Sequence, residues 1–479
     1  MTIQFRDAGR FIQVINSVTG TNAFVSKRGI VIRQDNSTNF FIKNDSYIDY
    51  FAFGDVLAPI AIDCAELVRL LVAMAQSDEE VPSIMENVKV SDNVLELSTP
   101  YNKNSFEIDE MLKFGGNTLH NFQDNSVSMN ITTSTNSRVV RQSKEYISIP
   151  TGKTVIALIN GSLINDTSIS MVESRLGMFD NANDATNTSV VNGYGMYFKY
   201  DSETYDVSGI SLVLRNTDSG PTITEMEVYQ ADWNLDSANG VGLSTVFLDP
   251  SSINTYVFCF GNSYGMNLSA GVIYNGKAVI VHEFTLPATY NYATRVPVRW
   301  EIKSTTGSPA SAVATMTQKS ASVYASTKQT VEHHYFASYS SNEKNIGGVG
   351  QSEPILSLRL ADNCIRGKLR PKTLHVLNTS AGGIGRWELY MNANLTGESF
   401  SSVNGYSFAE VSTSENNYSG GTLISSGYIV DVSEKEIDLE DTNKLLATIK
   451  GDADTLTLVV TRVKGSLTVL ATIEWQEFE

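Results

Sequence analysis

At 479 residues the chain is long enough for two to four domains, each with its own hydrophobic core. A formal net charge of −17 argues against a nucleic-acid partner, which needs a concentrated basic surface. Only 18% of residues are charged, while Ser, Thr, Asn and Gly abound between strands rich in Val, Ile, Tyr and Phe, the balance of an exported-looking or virion-type all-β protein. Cys64, Cys259 and Cys364 lie far apart and form no Cys-x-x-Cys pair, so neither a disulfide framework nor a thiolate zinc site is indicated. Met1-Thr-Ile-Gln-Phe-Arg-Asp7 lacks the basic region and apolar core of a signal peptide, and no uncharged apolar run is long enough to span a membrane. Synthesis in a cytoplasm, with no membrane insertion, is expected.

From Phe11 to Phe53, short apolar and polar bursts broken at Thr19-Gly20, Lys27-Arg-Gly29, Gln34-Asp-Asn36 and Lys43-Asn-Asp45 predict a small set of antiparallel strands. A helix follows. Pro59 and Asp63 supply its start, Ile62, Ala65, Leu67, Leu70, Leu71 and Met74 its apolar stripe, and Ser77-Asp-Glu-Glu80 its stop. Residues 1–78 thus read as an N-terminal β-plus-helix attachment module, with an ordinary capping helix as the plainer account. In residues 79–125 the pattern weakens at Pro82, Pro100 and Gly115-Gly116 around strands such as Val94-Leu-Glu-Leu97, which predicts a linker with some strand content or a segment ordered by packing on its neighbours.

Residues 126–338 read as a central β-sandwich of jelly-roll type. Tyr146-Ile-Ser-Ile-Pro150 and Thr154-Val-Ile-Ala-Leu-Ile159 open it. Strands and turns then alternate through Gly193–Tyr200, Gly209–Arg215, Thr222–Tyr229, Ser252–Phe260, Ala270–Tyr274, Lys277–Phe284 and Arg295–Ile302, with Ala321-Ser-Val-Tyr324 near the end. Asn275-Gly276 between apolar runs is the strongest hairpin signal. A boundary near Tyr339 to Gln351, marked by Gly347-Gly-Val-Gly350, precedes a C-terminal β-sandwich at residues 352–479. Its expected strands include Ile355–Leu360, Arg386–Tyr390, Gly421–Ile429, Leu445–Ile449, Leu456–Val460 and Val469–Trp475. Alternation at Leu456, Leu458 and Val460, and at Val469, Ala471, Ile473 and Trp475, turns one face inward. The fold expected is all-β, a small N-terminal β-plus-helix module followed by two jelly-roll-like sandwiches.

Four features resemble sites. Gly261-Asn-Ser-Tyr-Gly265 matches the Gly-x-Ser-x-Gly nucleophile elbow, but the residues after Ser263 read as a strand rather than a helix, and His282 follows too soon for an acid to intervene. A tight turn is expected there. Asp180-Asn-Ala-Asn-Asp184 offers oxygens to calcium, yet Ala182, Ala185 and Val191 break the EF-hand template, so a hairpin tip is the simpler reading. His333-His334 lies in a strand, where neighbours face opposite ways, so one metal shared by both is poorly served; one His from each of three subunits at a symmetry axis is the alternative. Trp233, Trp300, Trp387 and Trp475 have faces that could stack on sugars but sit in apolar strand patterns. No catalytic, cofactor-binding or metal residues and no cofactor are assigned.

The series Lys153-Thr-Val-Ile-Ala-Leu-Ile-Asn-Gly161, Ser174-Arg-Leu-Gly-Met-Phe-Asp180, Gly195-Met-Tyr-Phe198, Gln230-Ala-Asp-Trp-Asn-Leu-Asp236, Gly271-Val-Ile-Tyr-Asn-Gly276, Val281-His-Glu-Phe284 and Val296-Pro-Val-Arg-Trp-Glu-Ile302 resembles a family of structural proteins of tailed-phage and other large DNA-virus particles. In the C-terminal part, Trp387-Glu-Leu-Tyr-Met-Asn392 and Gly420-Gly-Thr-Leu-Ile-Ser-Ser-Gly427 are similar to the same proteins, so the resemblance covers roughly the last two-thirds of the chain. The chain departs from that pattern at Asp232–Val246 and at Phe260-Gly-Asn-Ser-Tyr-Gly265. The resemblance implies a non-enzymatic virion protein, a trimeric head fibre or decoration protein whose N-terminal module binds other capsid or tail proteins, with host surface glycans as a further partner. A tail-associated or receptor-binding protein is the alternative, and a sandwich-fold hydrolase a more distant one.

Overall fold

The computed structural model describes residues 92–479 except 104, 150–153, 182–183, 185–194, 204–208, 218–222, 243, 263–264, 286–294, 326–333, 363, 365, 440–443 and 479, together with the backbone of five strands between residues 3 and 41. Those five, Ile3–Ala8, Phe11–Asn16, Asn22–Ser26, Val31–Gln34 and Asn39–Phe41, form an antiparallel meander in sequence order, as the alternation predicts. The expected helix from Pro59 to Met74 lies outside the described residues.

The protein is all-β. Two sheets pack face to face to make the central sandwich. One orders seven strands as Ile223–Tyr229, Ile210–Thr217, Gly195–Asp201, Val172–Phe179, Val298–Ser304, Arg138–Ser143 and Ile108–Lys113. The other runs Lys277–Thr285, Gly265–Tyr274, Asn254–Asn262, Val155–Ser162, Ala314–Ala325, Ser126–Ile131 and Asn117–Asn121, with Asp92–Leu97 also paired to Ala314–Ala325. Period-two alternation sends Leu176, Phe198 and Trp300 of the first sheet against Ile159, Phe258 and Met316 of the second, giving one continuous apolar core. Phe198 sits at its centre, with its ring centroid 5.0 Å from that of Tyr256 and 5.6 Å from that of Phe258. Asn275 and Gly276 both have positive φ, and Tyr274 pairs with Lys277, so the Asn-Gly signal makes the two-residue hairpin that only such a pair closes without strain.

Three differences from the sequence reading have physical causes. Residues 92–121, expected as a linker with some strand content or a segment ordered by packing on its neighbours, contribute three strands to the central sheets, the one at Val94–Leu97 as expected, and Asn117–Asn121 pairs with Ser126–Ile131 across the expected boundary at 125. These strands are short and serve sheet edges, so their alternation is brief. The strand His334–Ser340 precedes the glycine-rich break but pairs with Thr468–Phe478, placing it in the C-terminal sandwich; Gly347-Gly-Val-Gly350 is a turn inside that unit. Leu445–Ile449 forms only isolated bridges, Leu369 with Leu445 and Ala447 with Ala453, and Leu445, Leu446, Ala447 and Ile449 are all buried, with Ile449 packed on the central sandwich.

The C-terminal sandwich packs a sheet ordered His334–Ser340, Thr468–Phe478, Lys368–Asn378 and Ser433–Asp438 on a second ordered Ser401–Ser402, Ala409–Ser412, Ser352–Leu360, Thr455–Lys464, Ile384–Met391 and Thr422–Val430. Its own core gathers Leu358, Leu374, Trp387, Leu458, Ile473 and Trp475.

Candidate functional site

The residues singled out in the sequence divide cleanly. Ser263 lies outside the described residues, but the strands on either side of it, Asn254–Asn262 and Gly265–Tyr274, are antiparallel partners, with Asn262 opposite Gly265. A nucleophile elbow instead leads from a strand into a helix. His282 stands opposite Ala270, about 16 Å along the sheet from Gly265 at the usual rise per strand residue. Its ring is buried edge-on against Phe284, its Nδ1 accepts the Asn234 amide at 3.2 Å, and burial pushes its pKa down. This histidine is an interior acceptor. His333 and the side chain of His334 lie outside the described residues. All four tryptophans are buried in the two sandwiches and offer no face to a ligand. Cys259 is buried as well, and that burial pushes its thiol pKa up to about 12, so it acts as a small apolar group.

In the Asp180–Asp184 stretch the two aspartates are paired with arginines. Arg138 grips Asp184 through two nitrogens at 2.5 and 2.9 Å, Arg299 reaches the same carboxylate, and Arg366 pairs with Asp180. Three guanidinium groups repel a divalent cation from this loop. Among the described residues no cluster of three His, Cys, Asp or Glu is placed to hold a metal.

These arginines belong to a larger array. On the seven-stranded sheet, residues that alternate with the core positions turn to the opposite face, and there Arg299, Glu301, Arg175, Tyr197 and Arg215 are nonetheless buried. Arg299 donates to Glu301 at 2.8 Å and to Gln142 at 2.8 Å, and Arg138 reaches Glu301 at 2.8 Å. Arg215 donates to Glu225 at 2.6 Å and to the Asp180 carbonyl at 2.9 Å. The Tyr197 hydroxyl donates to Glu225 at 2.8 Å. Guanidinium planes of Arg175 and Arg215 stack near Tyr197, and those of Arg215 and Arg299 near Phe179. Burial alone would favour a neutral Glu301, yet Arg138, Arg299 and Arg175 outweigh it and hold its carboxyl well below the usual range. Burial pushes Tyr197 up to about 12. The ion pairs of this face fix Asp180 and Asp184 to the sheet.

A second cluster fastens the two sandwiches. Glu145 of the central unit accepts from Lys368 at 2.9 Å and Lys444 at 2.6 Å, and Lys144 beside it donates to Asp454 at 2.8 Å. The Ile449 amide donates to Asp109 at 2.7 Å, and the Ile449 side chain packs on Met111 and Val140. Arg295 donates to the backbone carbonyls of Arg366 at 3.1 Å and Phe478 at 3.3 Å. Burial opposes ionisation of Glu145, but Lys368 and Lys444 prevail and keep its carboxyl below the ordinary value. At Asp109 burial wins and the pKa rises, although the Ile449 amide pulls the other way. Of these junction residues, Arg295 and Ile449 figure in the sequence only as ends of expected strands, and the charged pairs carry no local signal. The one available signal is Leu445–Ile449, an apolar run with no alternation.

No protein-family model matches the chain, and no curated protein matches it. Among solved structures, the carbohydrate recognition domain of Emp47p aligns with 49% of this chain and 97% of its own, at 10% identity and a TM-score of 0.32. Peanut lectin with a nine-residue peptide gives the same coverage, 10% identity and 0.27, and a legume lectin-like domain from Entamoeba histolytica gives 12% identity and 0.29. At such scores the likeness carries no argument about what this chain binds.

Proposed function

We propose that the chain is a non-enzymatic structural protein of a virus particle, a trimeric fibre or decoration protein that attaches through its N-terminal module and carries its two sandwiches outward toward host surface glycans. The observation that supports this reading is the junction between the sandwiches. Connected domains move relative to each other by default unless their interface is large and apolar. Here Glu145 and Asp454 are buried ionic anchors with their lysines in place, and an apolar contact at Ile449 adds to them. Truncating either side leaves a buried charge without its partner, so sliding or hinging at this joint is costly. A joint braced by buried ion pairs suits a protein whose task is to hold a shape at a distance from its anchor.

The test is to purify particles, identify the chain in them by mass spectrometry, and locate it with gold-labelled antibody. Label on the head supports the fibre or decoration reading, and label on the tail supports the tail-associated alternative. Absence from particles rejects both. Light scattering of the purified chain should give three times the monomer mass, and a monomer would reject the trimer.

A further inference from the structure

The hairpin of Ser401–Ser402 and Ala409–Ser412, with Ser401 opposite Val411 and Ser402 opposite Glu410, carries a loop reading Val403-Asn-Gly-Tyr-Ser-Phe408. Such a loop would ordinarily be free to move. This one is tied at both ends. At its base Glu477, fully buried, accepts from the Phe408 amide at 3.0 Å, the Ser407 hydroxyl at 2.5 Å and the Trp475 indole at 2.7 Å. At its tip Asn404 Oδ1 accepts from the amides of Tyr406 and Ser407, both at 2.9 Å, and the Ser402 hydroxyl donates to the Asn404 carbonyl at 2.7 Å. Asn404 Nδ2 then donates to the Tyr335 hydroxyl on the neighbouring edge strand at 3.1 Å. The result is a fixed backbone that holds the Tyr406 ring 88% exposed.

We infer that this hairpin is a contact site for a neutral hexopyranose of a surface glycan, with Tyr406 as the stacking platform and Asn404 and Tyr335 as the groups that meet its hydroxyls. The ligand class rests on the attachment reading above. Tyr set among Ser, Asn and Gly is the composition of binding loops, in which a rigid aromatic gives contact area at small entropic cost and short polar side chains give hydrogen bonds. The apolar C–H face of a pyranose lies flat on such a ring. Asn404 has spent one of its two N–H groups on Tyr335, and Tyr335 accepts there, so one N–H and one O–H remain to donate. A protein partner fits less well, because a stable interface covers about 800 Å² on each side around an apolar centre, whereas Ser401, Ser402, Asn404 and Gly405 around this ring are exposed and small or polar. An anionic sugar fits less well too: residues 401–408 contain no Lys or Arg, and the chain carries −17 overall.

The test uses the full chain and saturation-transfer difference NMR with methyl α-mannopyranoside, methyl β-galactopyranoside and methyl β-glucopyranoside. Transfer to the ring C–H protons of at least one sugar is expected, reduced at least tenfold in Tyr406→Ala and retained in Tyr406→Phe. The melting temperature of Tyr406→Ala should stay within about 1 °C of the parent, since an exposed ring contributes little stability. No transfer from the parent protein, or equal transfer from Tyr406→Ala, overturns the site. A smaller particle for Tyr406→Ala in light scattering also overturns it, by showing a second copy on the loop. A chain found on particles that binds none of these sugars rejects the hairpin site alone; a chain absent from particles that binds through Tyr406 rejects the particle reading alone.

Discussion

The two faces of the seven-stranded sheet are built by the same strands and are buried to similar depth, yet they hold opposite chemistry. In Val298–Ser304, Val298, Trp300 and Ile302 enter the apolar core while Arg299 and Glu301 enter the ionic array. Apolar burial stabilises in proportion to area and tolerates changes of shape if volume is kept. Ionic burial gains little net free energy, because desolvation offsets attraction, but it fails sharply when one partner is lost. One face therefore supplies stability, and the other fixes Asp180 and Asp184 in place on the sheet.

That contrast can be broken from either side. The largest effect is expected at the core: Trp300→Ala should cost about 3–5 kcal/mol, read as a lower denaturant midpoint with little change in slope. Arg299→Ala should come close behind, at about 3 kcal/mol or more, because Asp184 and Glu301 remain buried without their shared guanidinium. If the ionic face were merely a solvated surface, this loss would shrink below about 1 kcal/mol. Restoring neutrality should recover much of it: Arg299→Met together with Glu301→Gln is expected to be more stable than Arg299→Ala alone.

The smallest effect is expected from acid, which acts on the ionic face through Glu301 and on the junction through Glu145. Glu145 and Glu301 have folded-state pKa values below the ordinary 4.5, so the unfolded chain binds more protons as acid is added. Their stabilisation is fully present above about pH 4.5 and is lost as pH falls through the depressed values. Acid titration of the parent should therefore show a steep fall below pH 4.5, which Glu301→Gln flattens. Glu145→Gln should leave each core intact but let the sandwiches melt separately, giving two calorimetric transitions where the parent gives one. A single unshifted transition in that variant would show that the two units are joined by something other than these charges.

The same contrast explains what could be read from the sequence. Asn275-Gly276 and the inward alternation of Leu458, Val460, Ile473 and Trp475 announce themselves locally, since turn chemistry and period two act over a few residues. Arg175, Arg299 and Glu301 alternate with apolar neighbours too, but such alternation describes a solvent face equally well, and nothing local shows that this face is covered. The junction is still less visible. Lys144 meets Asp454 across 310 positions and Glu145 meets Lys368 across 223, and no periodicity links residues so far apart. The 401–408 loop looks like any Ser- and Asn-rich turn until Glu477 and Tyr335 are seen to hold it.

The position of Thr468–Phe478 within its sheet has a consequence for how the protein is made. It pairs with His334–Ser340 on one side and Lys368–Asn378 on the other, so both earlier strands have an unsatisfied edge until residues 468–478 leave the ribosome. Well over a hundred residues must wait, with their backbone edges open to wrong partners, for the strand that joins them. The central sandwich has its own late strand, Ala314–Ala325, between Val155–Ser162 and Ser126–Ile131, and is complete long before. Synthesis thus delivers a closed central unit first. That unit already displays Glu145 and Asp109, ready to receive the C-terminal unit as it closes.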